Sequence, residues 1–183
     1  MKGPKSIETE RLLLRKPMTS DAEVIFNRYA GDPAVTRYMS WPTHRTVTDT
    51  HAFLAWCEAD WNRWPAGSYL IFSRVDQSRL LGGTGLSFQS AERAVTGYVF
   101  ALDAWGRGFA TEALGAMVEL ARNAEVNRLE AVCHVDHRNS AHVLEKCGFH
   151  CEGVLRGHTE FPNLRSGICS DVLSFVRRLN VSE

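Results

Sequence analysis

Residues 105–111, Trp-Gly-Arg-Gly-Phe-Ala-Thr, set two glycines around an arginine just before Ala110-Thr111-Glu112-Ala113, a run that reads as helix. A helix start offers unpaired backbone N–H groups and a partial positive charge, a natural seat for a phosphate. Gly106 and Gly108 let the backbone approach such a ligand, and Arg107 adds a charge. The same pattern also serves as a plain strand-to-helix turn in which glycine supplies only geometry. Alone, it leaves both readings open. Two other phosphate loops are excluded: there is no G-x4-G-K-[ST], and the third glycine of G-x-G-x-x-G is missing.

A second group of reactive residues, Cys133, His134, His137, His142, Cys147, His150 and Cys151, lies close in sequence. It lacks the C-x-x-C pairing of structural zinc, so no metal is expected and the thiols and imidazoles read as ordinary packing. The odd count of five cysteines also argues against a disulfide framework.

With 21 basic and 21 acidic side chains the net charge is zero, which gives no electrostatic reason to bind nucleic acid. No apolar run approaches the ~20 residues of a membrane span, and no apolar signal core follows the N-terminus. No membrane association is expected, and a cytoplasmic protein is. Apolar residues make up 44% of the chain, enough for one sizeable core, and no linker or repeat divides it. The expectation is one domain over residues 1–183.

The elements that must hold the glycine loop follow from periodicity. Ile7 to Arg15 reads as a first strand. Ser20-Asp21-Ala22-Glu23 fits a capping box, opening a helix that stops near Gly31-Asp32-Pro33. A second helix is predicted from about Thr48 to Trp64, with Phe53, Trp56, Cys57 and Trp64 at helical spacing. Strands over 69–75, 80–88 and 95–102 form an antiparallel meander. Phe109 to Ala124 is the clearest helix, with an apolar stripe through Ala113, Met117 and Leu120. A strand over 129–135, a helix over 140–147 and two strands within 151–177 complete the chain. The fold class is α+β, with a mostly antiparallel sheet and about four helices.

With the elements in place, "GYVFALDAWGRGFATEA" (97–113) resembles the acetyl-CoA motif of the GNAT superfamily of N-acetyltransferases, nearest to its RimJ/RimL-type branch. "TERLLLRKP" (9–17), "LLGGTGL" (80–86), "HRNSAHVLEKCGF" (137–149) and "EGVLRG" (152–157) resemble further motifs of that branch, in order. The resemblance implies a splayed mixed sheet and acetyl-CoA as co-substrate. It also implies direct attack by an amine acceptor, a protein N-terminus or a small molecule such as a polyamine, amino acid or antibiotic. A non-catalytic acyl-CoA-binding module is the reading from another class, and a homodimer is left open.

The resemblance also assigns residues. Phe100, Ala101 and Leu102 would present backbone to the pantetheine arm, one N–H polarising the thioester carbonyl. Gly106, Arg107, Gly108, Phe109, Ala110 and Thr111 would bind the pyrophosphate, although Arg107 also reads as a solvated loop charge. His137 stands where many relatives have Asn, and Leu144 where they carry a Tyr general acid, so that Tyr is absent. Ser140 matches a serine that hydrogen-bonds the CoA sulfur, and equally suits the N-cap of helix 140–147. Glu160 aligns near an acidic base, or is simply an exposed glutamate. Tyr38 and Trp41, before Pro42, are the candidates for the acceptor pocket, whereas Trp56 and Trp64 read as core.

Overall fold

The computed structural model describes residues 2–179. Its first surprise is that the stretch expected as one strand is a hairpin, β1 (Ser6–Glu8) and β2 (Leu12–Arg15). The turn between them is held from far along the chain: the Glu112 carboxylate accepts from the Thr9 hydroxyl at 2.6 Å and the Arg11 N–H at 2.8 Å. Locally the turn is closed by the Thr9 N–H on the Leu12 carbonyl at 2.9 Å and the Leu12 N–H on the Thr9 hydroxyl at 3.1 Å.

After β2, Arg15 grips the Asp21 carboxylate through two bonds of 2.8 and 2.7 Å, and Asp21 also accepts the Met18 N–H at 2.7 Å. This carboxylate, rather than the Ser20–Glu23 box, sets the entry to α1 (Ala22–Ile25), which continues as a wider π turn over Phe26–Ala30. A short α2 (Pro33–Thr36) follows where the sequence suggests only a stop. Asp32 caps it by accepting the Ala34 N–H at 2.8 Å, and Pro33 fills the first helical position, where no N–H is needed. Among the described residues the α-helices therefore number five rather than four.

Helix α3 (Val47–Arg63) buries Thr50, Leu54, Cys57 and Trp61. Trp56, expected in the core, lies off that stripe and is 52% exposed. Trp64 is half-buried just past the helix end, stacked on Phe88 at 5.7 Å. The meander is β3 (Ser68–Ser73), β4 (Leu80–Phe88) and β5 (Arg93–Phe100). Strand β5 ends two residues early, because Leu102–Ala104 winds into a 3-10 turn.

Helix α4 (Phe109–Asn123) then crosses over to β6 (Arg128–His134), which pairs parallel to β5. Helix α5 (Arg138–Lys146), β7 (His150–Glu160) and β8 (Cys169–Arg178) close the chain. The eight strands lie in the order β1-β2-β3-β4-β5-β6-β8-β7, antiparallel everywhere except at β5–β6. One core packs α4 and α5 on the sheet through Leu114, Met117, Leu144 and Phe175. A second packs α1 and α3 through Ile25, Tyr29, Leu54 and Leu70.

Candidate active site

The single parallel pairing leaves a gap in the sheet. Strands β5 and β6 are in register only over 93–95 against 128–130, and beyond that they part. Cα partners Phe100 and Gly82, with the Ala101 N–H bonded to the Leu81 carbonyl at 2.9 Å, put Phe100 at a position whose own N–H points away from β4. It faces the gap. Of the three backbone donors expected here, Ala101 is thus spent on β4. Leu102 opens the 3-10 turn, which uses its carbonyl and leaves its N–H without a partner among the described residues. The Phe100 carbonyl accepts the Trp105 indole N–H at 2.7 Å, tying the glycine loop to the strand end. The Phe100 side chain is buried, whereas that of Leu102 is exposed.

At the wide end of the gap, Gly106 and Gly108 have φ of 70° and 78°, the left-handed region that strains any L side chain. A Cβ at Gly106 would meet nothing within 4 Å. Gly108 stands at the N-cap of α4 with no side-chain cap, so the N–H groups of Phe109, Ala110 and Thr111 begin a helix of 15 residues without an internal acceptor. Arg11 holds the loop: its Nη1 donates to the Arg107 carbonyl at 2.9 Å, and its Nε to Glu112 at 2.7 Å. Burial opposes ionisation of Glu112, but the bonds from Thr9 and Arg11 overcome it and hold the carboxyl below its ordinary value. The Arg107 guanidinium lies over the Phe109 ring at 5.1 Å.

Along the same two strands, lined in part by residues 95–99 and 131–133, lies a cavity of about 610 Å³. Tyr38, Trp41, His137 and Ser140 all line it, so four of the expected residues come together although they span about a hundred positions. His137 stacks on Tyr38 at 4.6 Å, and burial with the neighbouring His134 lowers its pKa. Ser140 is not the N-cap. Helix α5 begins at Arg138 with His137 at the cap position, which leaves Ser140 in the first turn. Its hydroxyl meets the Tyr98 hydroxyl at 2.9 Å, and Tyr98 also reaches the Ser140 carbonyl at 3.1 Å. The position of the absent Tyr is filled by buried Leu144, but a phenol arrives from β5 instead. Burial raises the Tyr98 pKa above its ordinary value, and the bond to Ser140 only moderates this.

Glu160, expected as a proton acceptor, does not line the cavity. It ends β7, where its Oε1 accepts the Gly167 N–H at 2.7 Å and closes the β7–β8 turn.

Three contributors were missed in the sequence. Tyr98 is one. His44 lines the cavity with Nδ1 at 2.8 Å from the Thr50 hydroxyl, and burial lowers its pKa despite nearby Asp49. Asn163, in the β7–β8 turn, donates to the carbonyls of Thr36 at 2.7 Å and Trp41 at 2.9 Å and accepts the Thr43 N–H at 2.8 Å. It fixes the 37–46 segment that carries Tyr38, Trp41 and His44.

A splayed parallel pair with a cavity along it and a glycine loop beyond the end of β5 is matched by a known family. The model of the acetyltransferase (GNAT) domain matches residues 11–150. The chain belongs to the GNAT acetyltransferase family. This GNAT chain is 32% identical over 153 residues to the uncharacterized N-acetyltransferase YoaA of Bacillus subtilis (strain 168), covering 82% of itself and 85% of YoaA. Its fold is similar to that of RimL, a ribosomal α-N-protein acetyltransferase in complex with coenzyme A. The TM-score is 0.83 at 22% identity, over 97% of this chain and 99% of that one. It is also similar to spermidine N-acetyltransferase from Vibrio cholerae, in complex with CoA and spermine. Here the TM-score is 0.77 at 16% identity, over 93% and 97% of the two chains. Those likenesses establish the fold of this GNAT domain. Since the two structures act on different acceptors, the fold does not choose between them.

Proposed function

We propose that this chain transfers the acetyl group of acetyl-CoA to the α-amino group of a protein or peptide N-terminus by direct attack. The observation that carries this reading is the Ser140–Tyr98 hydroxyl pair in the wall of the cavity, with Tyr98 on the same strand β5 whose end leads into the glycine loop. Bound acetyl-CoA supplies the activated thioester. The residues present fit it: open space over Gly106, uncapped N–H groups at 109–111 and a Phe100 N–H facing the gap.

The residues have separate tasks. The Phe100 N–H, which faces the gap, is the donor assigned to a carbonyl oxygen. A thiol of pKa about 8.5 leaves tolerably near neutrality, so one hydroxyl donor is enough to help it. Ser140 is that donor, with Tyr98 behind it held as a neutral phenol by burial.

The cavity also bears on the acceptor. No carboxylate lines it among the described residues, and its bases are the imidazoles of His44 and His137, weakened by burial, so the amine gets only modest help in losing its proton. At pH 7 about one in eight α-amino groups is neutral, against about one in 2,500 lysines. That favours an α-amine. A cytoplasmic setting is part of the proposal and accords with five free cysteines.

The test is incubation of the protein with acetyl-CoA and a mixture of peptides, following thiol release and locating the acetyl group by mass spectrometry. Thiol release with acetyl on peptide α-amines is expected. Tight CoA binding without thiol release would make the chain a binding module and overturn the proposal.

A further inference from the structure

The acceptor half of the cavity is walled by rings. Tyr38, Trp41 and His44 come from the segment between α2 and α3, Phe53 and Trp56 from α3, and Phe161 from the end of β7. Phe53 and Trp56 stack at 6.2 Å with 24° between their planes, and Trp41 lies 5.3 Å from His44. This accounts for Trp56, which a helix surface would not otherwise keep half exposed. Among the described residues none of those lining the cavity is Asp, Glu, Lys or Arg.

Resting on the acetyltransferase reading, we infer that the acceptor carries, beside its reacting primary amine, a compact aromatic or large apolar group and no second charge. Such a group exchanges water for ring faces and aliphatic wall. A second ammonium drawn into the same space would lose its hydration without a carboxylate in reach. The ring faces are already occupied in part by one another, which limits what they offer a cation. The acceptor amine gains the acetyl carbon, the C–S bond breaks, and the amine proton ends on the departing sulfur or in solvent. No other reactant is required. An N-terminal Phe or Leu and a free arylalkylamine share this chemistry.

The experiment compares acetyl transfer to peptides of one sequence beginning with Phe, Leu, Ser or Lys, and to phenethylamine and spermidine. We expect kcat/KM for the Phe and Leu peptides to exceed that for the Ser and Lys peptides by about tenfold or more, with spermidine lowest. Phenethylamine turning over as well as the Phe peptide would keep this inference but overturn the peptide N-terminus of the proposed function in favour of a free amine, and poor turnover would support both. Trp56→Ala, at an exposed position, and Trp41→Ala should shrink the preference for Phe over Ser while leaving the KM for acetyl-CoA unchanged. Preference for the Ser peptide, the Lys peptide or spermidine overturns this inference alone. Turnover of none of these amines overturns it together with the acetyltransferase reading.

Discussion

In the Gly106–Thr111 loop the groups available to a ligand are backbone N–H groups of neighbouring residues, whereas in the cavity they are side chains drawn from positions as far apart as 38 and 161. The first arrangement rests on local conformation, two glycines with positive φ and a helix that starts without a side-chain cap, steadied by Arg11 from the start of the chain. The second needs the fold, because α3, β5, α5 and the β7–β8 turn must all arrive before the rings and hydroxyls meet. The difference separates what all such enzymes must do from what each must choose. On the proposed reading, a common donor would be held by main chain, which tolerates sequence change, and the acceptor by side chains, which do not.

The largest effect should come from damaging the loop. Gly108→Asp puts an L residue at a φ of 78° and a negative charge where a pyrophosphate approaches. Acetyl-CoA affinity is expected to fall by about a hundredfold or more, measured by calorimetry, with the circular dichroism of the fold retained. Unchanged affinity would mean that the loop is a turn and nothing else.

Next comes the hydroxyl pair in the cavity wall. Tyr98→Phe and Ser140→Ala should each lower kcat by roughly ten- to a hundredfold, the scale of a lost acid or hydrogen bond. The double variant should lose less than the product of the two, because they act as one unit. If kcat holds and only the melting temperature falls, the pair is structural.

On the cavity side, Asn163→Ala frees the carbonyls of Thr36 and Trp41 together with the Thr43 N–H. A rise of several-fold in acceptor KM is expected, with a stability loss of about 1–3 kcal/mol by denaturant titration and no change in acetyl-CoA affinity. Equal effects on both substrates would break the separation of the two regions.

The smallest effect is that of pH on the clamp behind the loop. The folded pKa of Glu112 is depressed by Thr9 and Arg11 against the opposing effect of burial. Its contribution to stability is therefore present above the ordinary carboxyl value and is lost as pH falls through the folded value. Glu112→Gln should flatten the pH dependence of stability below about pH 4.5, and an unaltered acid limb would remove Glu112 from the account.

How much of this was legible in sequence follows the same division. The loop, α4 and the meander were visible because each rests on residues a few positions apart. The β1–β2 hairpin was not, since its turn, closed locally between Thr9 and Leu12, is also gripped by Glu112 from about a hundred residues away. Trp56 was misread because Phe53, Trp56, Cys57 and Trp64 share a helical period. The face that is buried runs instead through Thr50, Leu54, Cys57 and Trp61, and Trp56 turns to the cavity. Tyr98 gave no signal inside an ordinary strand pattern, and its partner Ser140 lies 42 residues away. Asp32-Pro33 was read as the end of one helix when it also caps the next.

The central claim, that the glycine loop and the splayed end of β5 together receive acetyl-CoA, is tested most directly by titrating acetyl-CoA into 15N-labelled protein and following the backbone amides. The account predicts that the largest shifts fall on Gly106 to Thr111 and on Phe100, with those of the 37–46 segment smaller. Saturating acetyl-CoA that leaves the amides of 106–111 in place, or moves only those of the aromatic cavity, would contradict it.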